Sequence, residues 1–385
     1  YKLNGVVREF IQKCMVGGRT MCADNKKHHI IGKGDDFDAT SLYPSAMERL
    51  GGYLLGKPKV LQSTDYNIVK NYDGYFIQIK INKVGINRTF SLMSEINNDG
   101  IRMFHNDMVG KTLYVDKTTL EDMLQFQNVE FEIIRGYYYN EERNYKLKEV
   151  IQYLFNERLR QKAKRYYKDV EYKDKDELMK IQKITKKDYD ELVKNKEIKE
   201  GNPIQNIFKL IMNSAYGKTL LKPIDDDVKY VHGEKEMMNI VLANYAFIKE
   251  VQKIGENNWE IKMIKSINSH YNNACCGVEV LSMSKRIMNE VMCLSEDKGY
   301  NIYYQDTDSM HIDTDNVDLL AKDFKEKYDR DLIGKQMGQF HTDFDSDKLD
   351  GTIYAKESIF LGKKCYVDVL TDESGKIDYH IRMKG

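Results

Sequence analysis

Two acidic residues late in the chain have the type and spacing of cation ligands. Asp306 and Asp308 follow the apolar run at 302–304 and are separated by one residue. Because side chains at i and i+2 of a strand project from the same face, the two carboxylates would lie close together. Close carboxylates repel each other unless a cation neutralises them, and oxygen ligands of this kind suit Mg²⁺. The pattern indicates a cation site, although an acidic hairpin turn is the commoner origin of Asp-Thr-Asp alone.

A second acidic cluster precedes the segment SLYPS at 41–45. Asp35, Asp36 and Asp38 end an apolar segment and lead into a helix that Pro44 is suited to begin. Acidic residues before a helix are also common N-caps. Asp36 and Asp38 are again spaced i, i+2, so the spacing leaves both of them open as cation ligands.

Polar side chains on two predicted helices form a basic counterpart to these acids. Arg158 and Lys162 are spaced i, i+4 on one helix, and Lys209 and Asn213 have the same spacing on the next, with Tyr216 on the same face. Two cationic pairs on facing helices would clamp a polyphosphate. A solvated basic face is the alternative interpretation.

Longer patterns define the elements that must position these residues. Apolar residues at helical spacing predict one helix over 146–170 and a second after Pro203, joined by a highly charged, solvent-exposed tip at 171–200. Such a pair is typical of an antiparallel helical hairpin. A further amphipathic helix is predicted over 278–297, and NIYYQDTDSMHID at 301–313 predicts two strands around a polar turn.

The charge composition of the chain excludes one class of protein. The chain has 385 residues, enough for two or three domains, and its 60 Lys and Arg balance its 60 Asp and Glu. A net charge of zero excludes a uniformly basic DNA-coating protein. The sum hides an asymmetry, because basic residues dominate 146–168 and acidic residues dominate 306–350.

The sequence also favours a reducing, non-membrane setting. No stretch approaches the roughly 20 apolar residues that a membrane span needs, and the first residues lack the apolar region of a signal peptide. None of the six cysteines forms a CxxC pair, so reduced thiols are expected and zinc is disfavoured. We therefore expect an intracellular protein that is not secreted and has no membrane partner.

The ordered combination of these motifs resembles the polymerase module of the family B DNA polymerases. DATSLYPS at 38–45 is similar to motif A, KLIMNSAYG at 209–217 to motif B and YYQDTDS at 303–309 to motif C, in the order found in that family. Four shorter segments add to the resemblance, namely MVGGRT at 15–20, FNERLRQK at 155–162, KKCY at 363–366 and RMKG at 382–385. The resemblance spans essentially the whole chain.

The resemblance implies an α+β fold, with a palm of antiparallel β-sheet backed by helices, a two-helix antiparallel fingers hairpin and two insertions. The expected segments are 1–47 (start of the palm and motif A), 48–145 (an α+β insertion resembling a terminal-protein region, and palm), 146–217 (fingers hairpin with motif B), 218–277 (second insertion and palm) and 278–385 (palm with motif C and the KxY motif). No room is expected for the exonuclease upstream or the thumb downstream that the family carries.

The long spacers at 46–154 and 218–302 are most similar to the protein-primed branch, found in viruses, phages and linear mobile elements. The expected partners are a DNA template–primer, dNTPs and a terminal protein primer. One departure is that Cys14 or Met15 stands where the YxGG-type loop of the family has a tyrosine.

The resemblance also implies residue roles. Two Mg²⁺ ions, with Mn²⁺ as a substitute, would be held by Asp38, Asp306 and Asp308, and the family pattern favours Asp38 over Asp36. Lys209 joins these three carboxylates as a catalytic residue. Residues expected to bind the dNTP are Ser41, Leu42, Tyr43 (a steric gate against ribose), Arg158, Lys162, Lys209, Asn213 and Tyr216. Residues expected to contact DNA are Gly217, Ser282, Arg286, Thr307, Lys364 and Tyr366.

Three other functions fit parts of the sequence. A catalytically inactive nucleic-acid-binding scaffold derived from a polymerase would have lost a carboxylate, and none of the expected ones is missing. An RNA-templated polymerase would carry YxDD and lack KLIMNSAYG. A metal-dependent nuclease accounts for the acidic clusters but not for SLYPS or the helix from Pro203.

Overall fold

A computed structural model describes residues 3, 5–167, 170–172, 174–195, 197–220, 226–264 and 273–384. The α-helices of these residues are α1 (Gly5–Lys13), α2 (Leu42–Leu50), α3 (Tyr66–Val69), α4 (Lys117–Gln127), α5 (Lys146–Lys162), α6 (Lys175–Gln182), α7 (Lys186–Lys194), α8 (Ile204–Gly217), α9 (Glu234–Ala243), α10 (Ala274–Asp297) and α11 (Thr314–Tyr328). None of them is long and apolar enough to cross a membrane.

The strands complete the element order. They are β1 (Thr20–Cys22), β2 (His28–Ala39), β3 (Tyr53–Leu54), β4 (Lys59–Val60), β5 (Gly74–Lys83), β6 (Ser94–Ile96), β7 (Arg102–Phe104), β8 (Thr112–Asp116), β9 (Glu130–Tyr139), β10 (Arg143–Asn144), β11 (Arg165–Tyr167), β12 (Val170–Tyr172), β13 (Ile198–Glu200), β14 (Asp226–His232), β15 (Ile248–Lys253), β16 (Asn258–Ile264), β17 (Ile302–Asp306), β18 (Ser309–Asp313), β19 (Phe340–Thr342), β20 (Tyr354–Gly362), β21 (Cys365–Thr371) and β22 (Ile377–Met383).

An antiparallel sheet of eight strands carries both acidic motifs. Its order is β1-β17-β18-β2-β20-β21-β22, and β19 also pairs with β2. Helices α2, α10 and α11 cover one face, where Phe37 and Ala39 of β2 enter the main apolar core. Because strand side chains alternate, Asp36 and Asp38 project from the opposite face. This mixed helical and antiparallel architecture confirms the predicted α+β fold.

The fingers hairpin consists of α5 and α8, which pack along each other. At the outer end the chain turns back, because the Gly201 and Asn202 N–H groups donate to the carbonyls of Lys164 and Gln161. The helix predicted over 146–170 is too long, since α5 ends at Lys162. The tip is also more structured than predicted, because β12-β11-β13 and two short helices enclose a small core of Tyr172, Leu178, Tyr189 and Ile198.

Two further units correspond to the expected insertions. The first holds the sheet β4-β9-β5-β8 and α4, and its core contains Tyr75, Ile77, Ile79 and Met123. The second holds the sheet β14-β16-β15 and α9, around Met237, Ile261 and Met263. Helix α4 packs against α10, which attaches the first insertion to the palm.

Candidate active site

The ends of β2 and of the β17–β18 hairpin face the fingers helices across a cavity of about 990 Å³. Its wall contains eleven of the predicted site residues, which are Asp38, Ser41, Leu42, Tyr43, Arg158, Lys162, Lys209, Asn213, Tyr216, Gly217 and Asp308. They come from four segments that are far apart in the chain, namely 38–43, 158–162, 209–217 and 308. The structure therefore brings the parts of motifs A, B and C together at one place.

Strand pairing holds Asp38 and Asp308 on the same wall. Strand β18 runs antiparallel to β2 with Ser309 opposite Asp38, and the Ala39 N–H donates to the Asp308 carbonyl at 2.8 Å. Thr307, between β17 and β18, has a φ of 63°, a left-handed conformation that makes the hairpin turn tight. Both carboxylates therefore sit at strand ends, fixed by backbone hydrogen bonds.

The electrostatics of this pair favour a cation. Burial, reinforced by Asp308 and Asp343, raises the pKa of Asp38 to about 8. Burial also raises the pKa of Asp308, with a further contribution from Asp306. Within the described residues, no three His, Cys, Asp or Glu side chains converge as a ready-made metal site. Mg²⁺ is commonly held by one or two carboxylates together with substrate phosphates, and this pair of oxygen donors fits that arrangement.

The two other candidate acids have different surroundings. Asp306 is outside the cavity wall, accepts from Thr20 Oγ1 at 3.0 Å and forms an ion pair with Lys364 Nζ at 2.9 Å. Asp36 is buried, and its Oδ1 lies 3.8 Å from His311 Nδ1. The structure thus pairs Asp38 with Asp308 and places Asp306 and Asp36 in contacts of their own.

The opposite wall is cationic. Arg158 donates to Ser41 Oγ at 3.1 Å, which ties α5 to the turn before α2. Ser41 has a φ of 52°, so the chain turns sharply between Asp38 and the helix. Lys162 and Lys209 form no ion pair within the described part of the chain. Unpaired cations in a cavity that already contains two carboxylates can bind an anionic ligand such as a polyphosphate.

Two tyrosines form the floor between the walls. The ring of Tyr43 stacks on that of Tyr216 with 4.2 Å between centroids and 9° between planes. Burial raises the pKa of both phenols, so both stay neutral donors and acceptors at physiological pH. A Cβ on Gly217 would meet no atom of the described residues within 4 Å, so among them the space beside it is open to a ligand.

Two of the predicted DNA contacts are corrected by the structure. Ser282 is 3% exposed and donates to Asp116 at 2.7 Å. Arg286 bonds to Asp122 at 2.6 Å and to Glu121 at 2.8 Å. Both side chains take part in docking the first insertion onto α10, so neither is placed to contact a DNA backbone.

The remaining predicted DNA contacts lie near the hairpin. Tyr366 is buried against Tyr304 and His311 rather than exposed on the sheet. Thr307 packs against Gly18, and Lys364 is exposed but paired with Asp306. Of these three, only Lys364 has an exposed side chain, and its ammonium group is held by the Asp306 carboxylate.

Among the residues of the cavity wall that sequence reasoning missed, three are ionisable, namely Lys335, His341 and Asp343. They lie on β19 and its flanks, where His341 is the register partner of Asp38 and its Nδ1 lies 3.2 Å from Thr40 Oγ1. The only sequence signal was the general acidity of 306–350, because the pairing of β19 with β2 joins segments that are remote in the chain.

Comparison with known proteins shows which family of proteins this chain belongs to. The profile of the family described as DNA polymerase type B, organellar and viral, matches residues 1–297. The chain therefore belongs to that family of DNA polymerases. A protein of Kluyveromyces lactis named DNA polymerase is 26% identical over 188 residues, which cover 46% of this chain and 16% of the relative.

Solved structures of Phi29 DNA polymerase have the same fold. The complex with primer-template DNA aligns with a TM-score of 0.60 and 16% identity over 99% of this chain and 55% of that one. The complex with primer-template DNA and incoming nucleotide gives a TM-score of 0.58 and 17% identity, with 100% of this chain and 56% of that chain covered. The chain thus spans about half the length of the Phi29 protein and a smaller part of the yeast relative.

Proposed function

We propose that this chain is the palm and fingers module of a DNA-directed DNA polymerase, which joins dNTPs to a primer 3′-hydroxyl by nucleotidyl transfer. The observation that carries the proposal is the cavity in which Asp38 and Asp308 face Arg158, Lys162 and Lys209. The Phi29 structures with the same fold contain primer-template DNA and incoming nucleotide, which supports the same ligand classes for this chain.

In the proposed reaction the primer 3′-hydroxyl oxygen forms a bond to the α-phosphorus, and the bond to the pyrophosphate oxygen breaks. When bound, two Mg²⁺ ions would stabilise the charge on the attacking and leaving oxygens. Asp38 and Asp308 would hold the metal ions. Arg158, Lys162 and Lys209 would bind the β- and γ-phosphates, where negative charge builds as pyrophosphate leaves, so they contribute to rate as well as binding.

The two stacked tyrosines would select the incoming nucleotide. The Tyr43 ring would lie under the sugar, where a ribose 2′-hydroxyl would clash with it. Tyr216 would lie under the nascent base pair, with Asn213 beside the triphosphate and the open space at Gly217 left for the template. Ser41 and Leu42, at the start of α2, would offer backbone N–H groups to the phosphates.

We further propose that synthesis is primed by a protein. Two folded insertions occupy the spacers that suggested this branch, and the overall fold is that of the Phi29 enzyme. The first insertion docks firmly on α10 and would support a terminal protein partner. A pull-down of the intact chain with candidate terminal proteins tests this part of the proposal, and capture of none of them would contradict it.

The direct test of the function is extension of a labelled primer on a DNA template with Mg²⁺. Asp38→Asn and Asp308→Asn are expected to reduce incorporation by at least about 1,000-fold, because several kcal/mol of transition-state stabilisation is lost. The exposed Asp345→Asn is the matched control and should retain full activity. Normal extension by either of the first two variants would contradict the proposal.

A further inference from the structure

The chain between α11 and β19 closes into a small loop beside the cavity. The Phe340 N–H donates to the Leu332 carbonyl at 2.7 Å, and the Gly334 N–H donates to the Phe340 carbonyl at 3.0 Å. These two bonds bring together the ends of residues 332–340, which we call the β19 loop. Lys335 lies within this loop and lines the cavity wall.

The β19 loop is bonded to the turn that leads from Asp38 into α2. The Thr40 N–H donates to the Gln339 carbonyl at 2.8 Å, and the Gly338 N–H donates to the Thr40 carbonyl at 3.2 Å. Gly338 has a φ of 76°, a left-handed conformation that glycine adopts without steric cost. The loop is therefore fixed to the palm at the edge of the cavity.

The side chain of Gln339 stiffens the loop from within. Its Oε1 accepts a hydrogen bond from the Gln336 N–H at 2.9 Å, and its Nε2 donates to the Asp331 carbonyl at 3.4 Å. A Cβ on Gly334 would collide with this amide, so the packing beside it is close. Because the backbone is held on both sides of Lys335, the base of its side chain has a defined position.

Lys335 carries a charge that no described protein group neutralises. Its side chain is exposed, and its ammonium group forms no hydrogen bond or ion pair with the residues that the structure describes. It shares the cavity wall with Arg158, Lys162 and Lys209. Several cations held around one space favour an anion with several charges, such as a polyphosphate.

The turn at 40–41 has a cation-bearing element on each side. From the fingers, Arg158 donates to Ser41 Oγ at 3.1 Å. From the palm, the β19 loop that carries Lys335 is bonded to Thr40. An anion bound at this turn would therefore be within reach of both the fingers cations and the palm lysine.

We propose that Lys335 binds the phosphates of the incoming nucleotide from the palm side, while Arg158 and Lys162 bind them from the fingers. Its ammonium group would donate to a terminal phosphate oxygen. The inference deepens the proposed function, and it rests on that function only in that the cavity binds a nucleoside triphosphate.

The first test is calorimetric titration of the chain with inorganic triphosphate and Mg²⁺, without DNA. Lys335→Gln should raise the Kd for triphosphate about threefold to tenfold, because one charge-assisted hydrogen bond at an exposed site is lost. Lys335→Arg keeps the charge and should stay within about twofold of wild type. The Tm of both variants should be unchanged, since the exposed ammonium group contacts no described residue.

Lys356→Gln is the matched control. Lys356 is also exposed and without an ion pair among the described residues, but it is not part of the cavity wall. This variant should bind triphosphate as the wild type does. Equal affinity of Lys335→Gln and Lys356→Gln, or no triphosphate binding by the wild type, would overturn the proposal.

Steady-state primer extension distinguishes the nucleotide phosphates from the DNA backbone. Lys335→Gln should raise KM for dNTP by about the same factor as the Kd for triphosphate, with kcat within about threefold and the Kd for template–primer unchanged. A weaker grip on template–primer with an unchanged KM for dNTP would assign Lys335 to the DNA backbone and overturn the proposal. Triphosphate binding that depends on Lys335, without nucleotide incorporation by the wild type, would support the polyphosphate contact and contradict only the proposed function.

Discussion

At the scale of single residues, the cavity contains carboxylates on one wall and cations on the other, and each set of like charges is unfavourable without a ligand of opposite charge. Two carboxylates with raised pKa values face unpaired lysines across a half-buried space. Perturbed pKa values of this kind concentrate at functional sites, because a site kept ready for its ligands holds like charges together before they arrive. A nucleotide with its metal ions would satisfy both walls at once.

The stacked ring of Tyr43 leads to a prediction about sugar selection. Tyr43→Val removes the ring that we propose to lie beneath the sugar, so the preference for dNTP over rNTP should fall by about tenfold or more. Competitive incorporation of dNTP and rNTP by the same chain measures this ratio.

Tyr43→Phe is the matched control, because it keeps the ring that stacks on Tyr216 and removes only the hydroxyl. It should keep the discrimination of the wild type. An unchanged ratio in Tyr43→Val would remove Tyr43 as the steric gate.

At the scale of elements, the loop before β1 is bound tightly to the β17–β18 hairpin. The Thr307 N–H donates to the Arg19 carbonyl at 2.9 Å, and the buried Arg19 side chain bonds to Gln305 and to the carbonyls of Phe90 and Ser91. One arginine therefore joins the loop, the β17–β18 hairpin and the first insertion.

This packing gives a prediction for Gly18→Ala. A Cβ on Gly18 would lie 2.4 Å from Thr307 Cγ2, so the loop or the hairpin must shift. We expect a loss of about 1–3 kcal/mol in the free energy of unfolding, measured by urea denaturation, and a matching loss of primer extension at saturating dNTP.

Gly17→Ala is the matched control, because a Cβ at Gly17 meets nothing within 4 Å. Its stability should stay within about 0.5 kcal/mol of wild type. Thr307→Gly, which removes the opposing side chain, should restore stability to Gly18→Ala. Equal denaturation midpoints for the two alanine variants would show that the close approach is not a constraint.

At the scale of the whole molecule, the two insertions differ in how they are attached. The first is bound to α10 through Arg286 and Asp122, and Arg88 adds a contact with Asp297 at 2.6 Å. The second has its own core, and Asp226 and Ile264, which bound its described residues, are register partners on adjacent strands. Because these two residues are neighbours, the second insertion can be replaced by a short linker between them.

Deleting the insertions should therefore have unequal effects. Replacing 226–264 by a short Gly-Ser linker should shift Tm by less than about 4 °C, since none of the described residues of this unit belongs to the main apolar core. Replacing 53–139 exposes the buried charges of α10 and should lower Tm far more. Calorimetry of both variants provides the comparison, and equal losses would contradict this account.

Much of the fold followed from local patterns. The hairpin at 301–313, the helix after Pro203 and the helix around 278–297 occur as predicted, because periodic apolar residues and turn residues are local signals. Helix α9 and the sheet at the fingers tip were not predicted, because these short elements are stabilised by packing within their own small cores rather than by strong periodicity.

The sequence by itself determined the family, since its ordered motifs are those of that family, and it predicted a site of carboxylates, cations and two tyrosines. Only the tertiary structure decided which of them share that site. Strand register separated Asp38 from Asp36, and the docking of the first insertion turned Ser282 and Arg286 inward. It also brought β19 with Asp343 to the cavity. These outcomes depend on contacts between segments remote in the chain, and such contacts leave no spacing pattern in the sequence.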